Sequence, residues 1–191
     1  FDKESNNRCA MAMAIAKIGS QKKIQRQKDA NLIRTSVAPL LGFKTKMNKY
    51  SFRLYQLTGI AFWRSTNFRA MIGDQMGIGK TVQAIGAIKL AIEDKTIKSP
   101  LPVLIVCPNS VMSQWKEAIN EWIPGLSVSM MVGSPKSKSL KPKKDSVLIT
   151  TYETMRRNKA YLLSCGFRMT IFDESHYLKN GASGRTKAGI E

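Results

Sequence analysis

Arg69-Ala70-Met71-Ile72-Gly73, followed at once by Asp74-Gln75-Met76-Gly77-Ile78-Gly79-Lys80-Thr81, is the stretch on which the fold turns. A short apolar run gives way to a glycine-containing loop and then to residues with helical periodicity. This order predicts a strand over Arg69 to Gly73, a loop, and a helix from about Lys80 to Asp94. Val82, Ile85, Ile88, Leu90 and Ile92 would cover much of that helix, as expected if it packs on a sheet. A loop between strand and helix is the setting of a phosphate site. Its glycines let backbone N–H groups curl round an anion, and the helix N-terminus adds partial positive charge. Lys80 can reach β- and γ-phosphates, and Thr81 can offer its hydroxyl to Mg²⁺. The general pattern asks for glycine where this chain has Asp74. A plain glycine turn capping a helix has similar residues, but strand, loop, Gly-Lys-Thr and helix in this order favour phosphate binding.

Outward from the loop, short β-type runs alternate with helical stretches after Tyr50, which is the pattern of parallel strands joined by crossover helices. Strands are predicted at Val103 to Cys107, about Ser127 to Val132, Val147 to Thr151 and Arg168 to Phe172. Helices are predicted at Val111 to Trp122, capped by Pro108-Asn109-Ser110 and stopped by Pro124-Gly125, and between Glu153 and Cys165. The expected fold class is α/β. Trp115 and Trp122 lie seven apart on one helix face and, with Phe62 and Trp63, read as packing residues.

Met169-Thr170-Ile171-Phe172 then ends in Asp173-Glu174-Ser175-His176. Two adjacent acids at a strand end carry little information alone. Joined to the phosphate loop they form the second half of a nucleoside-triphosphatase site. Asp173 would hold Mg²⁺, and Glu174 would orient and polarise the attacking water. His176, the single histidine, reads as a link between nucleotide state and neighbouring elements rather than as a metal ligand.

Asp74-Gln75-Met76-Gly77-Ile78-Gly79-Lys80-Thr81 resembles the Asp-Glu-Met-Gly-Leu-Gly-Lys-Thr loop of Snf2-type ATPases in helicase superfamily 2, including the aspartate in place of glycine. Phe52 to Ile60 resembles the segment that precedes the loop in that family, which implies that Gln56 bonds adenine and that the nucleotide is ATP. Val103 to Ser110 with Gln114-Trp115, and Leu148 to Glu153, are similar to two further motifs whose loops face nucleic-acid backbone. The resemblance therefore implies backbone contacts at Asn109, Ser110, Thr151 and Lys179. Asp173 to Asn180 matches the extended Asp-Glu-x-His-x-x-Lys-Asn form, and its serine is similar to a branch that includes annealing helicases. The motifs cover Tyr50 to about Asn180. They imply a RecA-like first lobe, with a mainly parallel sheet flanked by helices, from a double-stranded-DNA translocase.

The chain has 191 residues, of which 43% are hydrophobic, enough for one domain core and too many for a disordered chain. Its apolar runs are far shorter than a membrane span, so no transmembrane helix is expected. The net charge of +18 points to a polyanion, nucleic acid first and an acidic membrane surface second, a choice that composition leaves open; with the motifs above the expected partner is duplex DNA, and no membrane. Eleven basic and three acidic residues fall within Phe1 to Lys49, read as a basic, helical extension (1–49) before the ATP-binding lobe (50–191). That extension is as compatible with a solvated basic face as with nucleic acid. Lysines 136, 138, 141, 143 and 144 form a basic loop, read as a polyanion contact over a solubilising insertion. Cys9, Cys107 and Cys165 lack metal-ligand spacing and read as reduced, structural thiols.

A start at Phe1 and an end at Glu191, before the next family motif and the second RecA-like lobe, lead to the expectation of one half of a motor, weak in hydrolysis alone. An RNA or single-strand helicase lobe and a non-catalytic nucleic-acid-binding module are the alternatives. The expected location is intracellular: the nucleus in a eukaryote, the cytoplasm or nucleoid in a bacterium or phage.

Overall fold

The computed structural model describes residues 52–75, 77–93, 99–135, 142–178 and 183–190. The expected basic extension at 1–49, lysines 136, 138 and 141, and Lys179 lie outside them. In chain order the elements are α1 (Leu54–Ser65), α2 (Lys80–Glu93), β1 (Val103–Val106), α3 (Met112–Trp122) and β2 (Ser127–Met131). They continue with β3 (Ser146–Thr150), α4 (Tyr152–Arg157), α5 (Lys159–Ser164), β4 (Met169–Phe172) and α6 (Gly184–Ile190). Single 3₁₀ turns occupy Asn109–Val111 and Ser175–Leu178.

The four strands form one parallel sheet in the order β2-β3-β1-β4. Ile105 sits level with Ile149 on one side and Ile171 on the other. β1 and β3 are central and buried along their whole length, hence their unbroken apolar sequences. Strand alternation sorts the side chains into two cores. Val103, Ile105, Val147 and Ile149 pack with Ile85 and Ile88 of α2 and with Trp115 and Ile119 of α3. Leu104, Val106 and Leu148 pack on the opposite face with Tyr152, Met155 and Leu162. Cys107 is buried at the end of β1, and burial followed by the nearby Asp173 charge pushes its thiol up to about 12, so it stays protonated and unreactive.

The structure corrects four sequence expectations. Phe62, read as a packing residue, is 50% exposed on α1, whereas Trp63 beside it packs against the core. Residues 69–75 form neither strand nor helix. After α1 the chain turns through Asn67 (φ 52°) and Phe68 (φ 61°), and Phe68 N–H returns to Trp63 C=O at 2.6 Å. The Trp63 indole then donates to Ala70 C=O at 3.1 Å. These bonds tie the segment back to α1 in place of a ladder with β4. Asn109 and Ser110 supply no side-chain cap to the following helix. The chain makes a 3₁₀ turn instead, closed by Val111 N–H to Pro108 C=O at 3.2 Å. Finally, the single helix expected from Glu153 to Cys165 is two. At Asn158 (φ −113°, ψ 26°) the side-chain amide bonds Thr154 C=O and Gly133 C=O, both at 2.9 Å, and breaks the run.

α1 is not among the elements expected from the sequence. It begins where the Gln56 side chain accepts the Arg53 N–H at 2.9 Å, satisfying one of the helix's orphan donors. Among the described residues, no helix is long and apolar enough to cross a membrane.

The two-core arrangement makes a graded prediction for urea unfolding. Ile105→Ala should cost about 2–5 kcal/mol, because the side chain is fully buried and leaves a cavity. Met130→Ala, on the exposed edge strand, should stay within about 0.5 kcal/mol of the parent. Equal losses would refute the assignment of inner and outer positions.

Candidate active site

A parallel sheet brings the C-terminal ends of β1, β3 and β4 to one end of the molecule, and the loop before α2 lies beside it. A cavity of about 430 Å³ opens there, lined among others by Asp74, Lys80, Thr81, Asp173, Glu174 and His176. Six residues from two stretches about ninety positions apart thus line one cavity.

On the loop side, Gly77 (φ 82°) and Gly79 (φ 85°) adopt the left-handed conformation that favours glycine. A Cβ on Gly79 would also lie 2.6 Å from Gln56 Nε2. The Gln56 side chain, buried beneath the loop, donates to Ile78 C=O at 3.3 Å while accepting from Arg53. Gln56 therefore supports the phosphate loop directly. Lys80 Nζ donates to the carbonyls of Asp74 (2.8 Å) and Gln75 (3.0 Å), which hold the ammonium over the cavity. A phosphate oxygen carries more charge than a carbonyl and makes the stronger partner for that ammonium.

The Asp74 carboxylate accepts from Gln83 Nε2 at 3.2 Å. Gln83 lies on α2, is 0% exposed, and its Oε1 has no partner among the described residues. That oxygen occupies the space a Cβ on Gly59 would need, so glycine in α1 admits it. Nothing in the sequence pattern separates Gln83 from an ordinary helix glutamine.

On the sheet side, Asp173 N–H donates to Val106 C=O at 2.9 Å, extending the ladder by one rung and fixing the residue to β1. Its carboxylate accepts from the Trp115 indole at Oδ2 (2.8 Å) and from Glu174 N–H at Oδ1 (3.0 Å). Its carbonyl accepts from the Tyr152 hydroxyl at 2.6 Å. Burial, then the charge of Asp173, raises the Tyr152 phenol well above its usual range, so it remains a donor at neutral pH. Glu174 is exposed at φ 54° and lies 3.0 Å from His176 Nδ1, and the His176 ring rests on Tyr177. Trp115 does pack in the core as expected, but its hydrogen bond to an acidic site residue was not legible from spacing. The role of Tyr152 was hidden in the same way.

Among the described residues no group of three or more His, Cys, Asp or Glu could hold a metal ion. Mg²⁺ needs no such cage, since it keeps waters and takes one or two protein oxygens beside substrate phosphates. The Thr81 hydroxyl and Asp173 carboxylate, which line one cavity with Lys80, are a donor set that would fit it.

Asn109 and Ser110 are exposed on the turn after β1, at the same end of the sheet. Thr151 follows β3, and its hydroxyl is engaged as the cap of α4, accepting Thr154 N–H at 3.1 Å. Next to it Glu153 bonds Arg156 (2.6 Å) and Arg157 (2.9 Å). The hydrogen bond from Arg156 comes first among the causes that hold the Glu153 carboxyl down to about 2. A depressed carboxylate stabilises the fold above its unfolded pKa and loses that contribution only as pH falls towards 2. On so exposed a surface the contribution is small.

Gln83→Leu tests the anchoring of the loop. A hydrogen bond to a charged group contributes about 1.5–3 kcal/mol, and a buried unbonded oxygen costs about 1–3 kcal/mol. The two nearly cancel, so thermal or urea unfolding should stay within about 1 kcal/mol of the parent while Asp74 loses its tether. A loss much beyond 2 kcal/mol would show that Gln83 makes a partnership this account omits.

A profile of the SNF2-related domain matches residues 55–191. "Probable ATP-dependent DNA helicase CHR12" of Arabidopsis thaliana is 35% identical over 144 residues, covering 71% of this chain and 13% of that protein. "ATP-dependent helicase brm" of Drosophila melanogaster is 32% identical over 134 residues, covering 66% and 8%. In three dimensions the chain is similar to the "Sulfolobus solfataricus SWI2/SNF2 ATPase core in complex with dsDNA", with a TM-score of 0.63 and 26% identity over 74% of this chain and 30% of that one. The chain thus spans a small part of each of these relatives. Its sheet and flanking helices are those of a RecA-like lobe, and the chain belongs to the SNF2-related domain family of superfamily 2 ATPases.

Proposed function

We propose that this chain is the ATP-gripping lobe of an ATP-dependent double-stranded-DNA translocase or remodeller, completed by a second RecA-like lobe. The observation that carries the reading is the single cavity uniting Lys80 and Thr81 with Asp173 and Glu174. The family and its relatives, ATP-dependent helicases and an ATPase core bound to duplex DNA, support the substrate and the partner. The lobe is taken to begin near Tyr50, in keeping with a family match that starts at residue 55. In a eukaryotic cell this work belongs in the nucleus.

In this reading the left-handed glycines turn backbone N–H groups towards the phosphates, and Lys80 exchanges its two carbonyl partners for β- and γ-phosphate oxygens. Gln56, whose amide is engaged by Arg53 and Ile78 in this structure, would have to turn that edge to adenine when the nucleotide binds. Thr81 and Asp173 would hold Mg²⁺, which supplies charge neutralisation at the transferring phosphoryl group. Glu174 would orient a water in line with the γ-phosphate and accept its proton, with His176 restraining the carboxylate at 3.0 Å. Asn109, Ser110, Thr151 and Lys179 would meet the DNA backbone, a sequence-independent contact suited to a motor that tracks duplex. The transition-state arginines would come from the second lobe.

Titration calorimetry tests the reading. Mg-ATP should bind this chain, and Lys80→Ala should weaken it by about 10- to 100-fold, as loss of a charged hydrogen bond implies. Duplex DNA should bind with an affinity that falls steeply with salt and is unchanged in Lys80→Ala. Steady-state turnover should be slow in this chain without the second lobe. DNA binding with no ATP binding would instead support a non-catalytic module. Preference for single-stranded RNA over duplex at matched salt would support the RNA helicase alternative.

A further inference from the structure

Asp173 is gripped at two points by buried aromatic residues from two helices. Trp115 on α3 is 2% exposed and donates its indole N–H to the carboxylate at 2.8 Å. Tyr152, the first residue of α4, is 4% exposed and donates its hydroxyl to the Asp173 carbonyl at 2.6 Å. That carbonyl belongs to the peptide leading into Glu174, whose φ of 54° is an unfavourable conformation for a side-chain-bearing residue. A bond to the peptide oxygen fixes the rotation of this peptide and offsets the strain. The phenol itself is held between Phe172 (6.3 Å, 23°) and Tyr177 (5.2 Å, 19°), so its hydroxyl has a fixed aim. Phenylalanine at 152 would fill the same stack. Hydrophobic packing therefore accounts for the ring and leaves the hydroxyl to be explained by Asp173.

We propose that Trp115 and Tyr152 are positioning residues of the nucleotide site, holding the Asp173 carboxylate and its backbone in the one orientation that lets it take a phosphate-bound divalent cation. The proposal rests on the ATPase reading above. Freed of the indole, the carboxylate can rotate about χ1 and χ2. Freed of the hydroxyl, the 173–174 peptide can relax from its left-handed neighbour. Either loss lowers the fraction of molecules ready for the cation without touching the loop that grips the phosphates.

The test is the Mg²⁺ dependence of nucleotide affinity, measured by displacement of a fluorescent ATP analogue in Mg²⁺ and in EDTA. Tyr152→Phe, Trp115→Phe and Lys80→Ala are compared with the parent chain. The expected result is that Trp115→Phe loses about tenfold and Tyr152→Phe about threefold of affinity in Mg²⁺, as removal of a charged and of a neutral hydrogen bond implies, and neither changes the EDTA value beyond twofold. Lys80→Ala should lose affinity in both media. Equal losses in Mg²⁺ and EDTA for the aromatic variants would mean a packing role only and overturn the proposal. Full retention of the Mg²⁺ effect in Tyr152→Phe would also overturn it, even if Trp115→Phe fails to fold, and would leave the ATPase reading standing. A parent chain that binds no nucleotide in either medium would sink both.

Discussion

The hydrogen bond from Asp173 N–H to Val106 C=O, 2.9 Å long, is the last rung between β4 and β1, and the candidate site hangs from it. A carboxylate on a free loop could sample many positions, but one carried on a ladder rung inherits the rigidity of the sheet. That rigidity comes from β1 and β3, buried throughout and packed on both faces. Because all four strands are parallel, the ends of β1, β3 and β4 face the same way, and each hands its next residues to the site or its rim. Asn109 and Ser110 follow β1, Thr151 and Tyr152 follow β3, and Asp173 and Glu174 follow β4. The fold supplies geometry, and the chemistry is left to side chains at one end of it.

The loop side is held differently. No strand anchors residues 69–75, so their position depends on α1 and α2 through individual polar bonds. Trp63 holds Ala70, Gln83 holds the Asp74 carboxylate, Gln56 holds Ile78, and Lys80 holds Asp74 and Gln75. Each is a bond a phosphate could rearrange at small cost, whereas the buried Asp173 network could not shift without opening the core. The cavity therefore has one adaptable wall and one fixed wall. This would suit the proposed site, which has to close on a triphosphate and hold a cation against it.

Much of this was legible in the sequence for identifiable reasons. Strands β1 and β3 were visible because buried parallel strands read as short apolar runs, the edge strands β2 and β4 as less uniform β-type runs, and α2 because Val82, Ile85 and Ile88 repeat at helical spacing. The glycine loop and the acidic pair, which the structure brings to one cavity, stood out because the chemistry proposed for them demands particular residue types in a particular order. The absence of a strand at 69–73 was not legible, since it follows from the bonds by which Trp63 and Phe68 tie the chain back to α1, leaving Met71 exposed. The break at Asn158 was hidden because it depends on a side-chain bond to Gly133, twenty-five residues away. The same limit applies to Trp115, Tyr152 and Gln83. Trp115 reads as a packing residue, Tyr152 as part of a motif and Gln83 as an ordinary helix glutamine, and the polar partner of each appears only in three dimensions.

The central claim is that Lys80 and Thr81 on one wall and Asp173 on the other grip a single Mg-nucleotide. A crystal structure of this chain with a non-hydrolysable ATP analogue and Mg²⁺ tests it most directly. The account predicts β- and γ-phosphates on the backbone of Gly77 to Thr81, Lys80 moved off the carbonyls of Asp74 and Gln75, and the cation between Thr81 and Asp173. A nucleotide seated elsewhere, or a cation with Asp173 outside its reach, would contradict it.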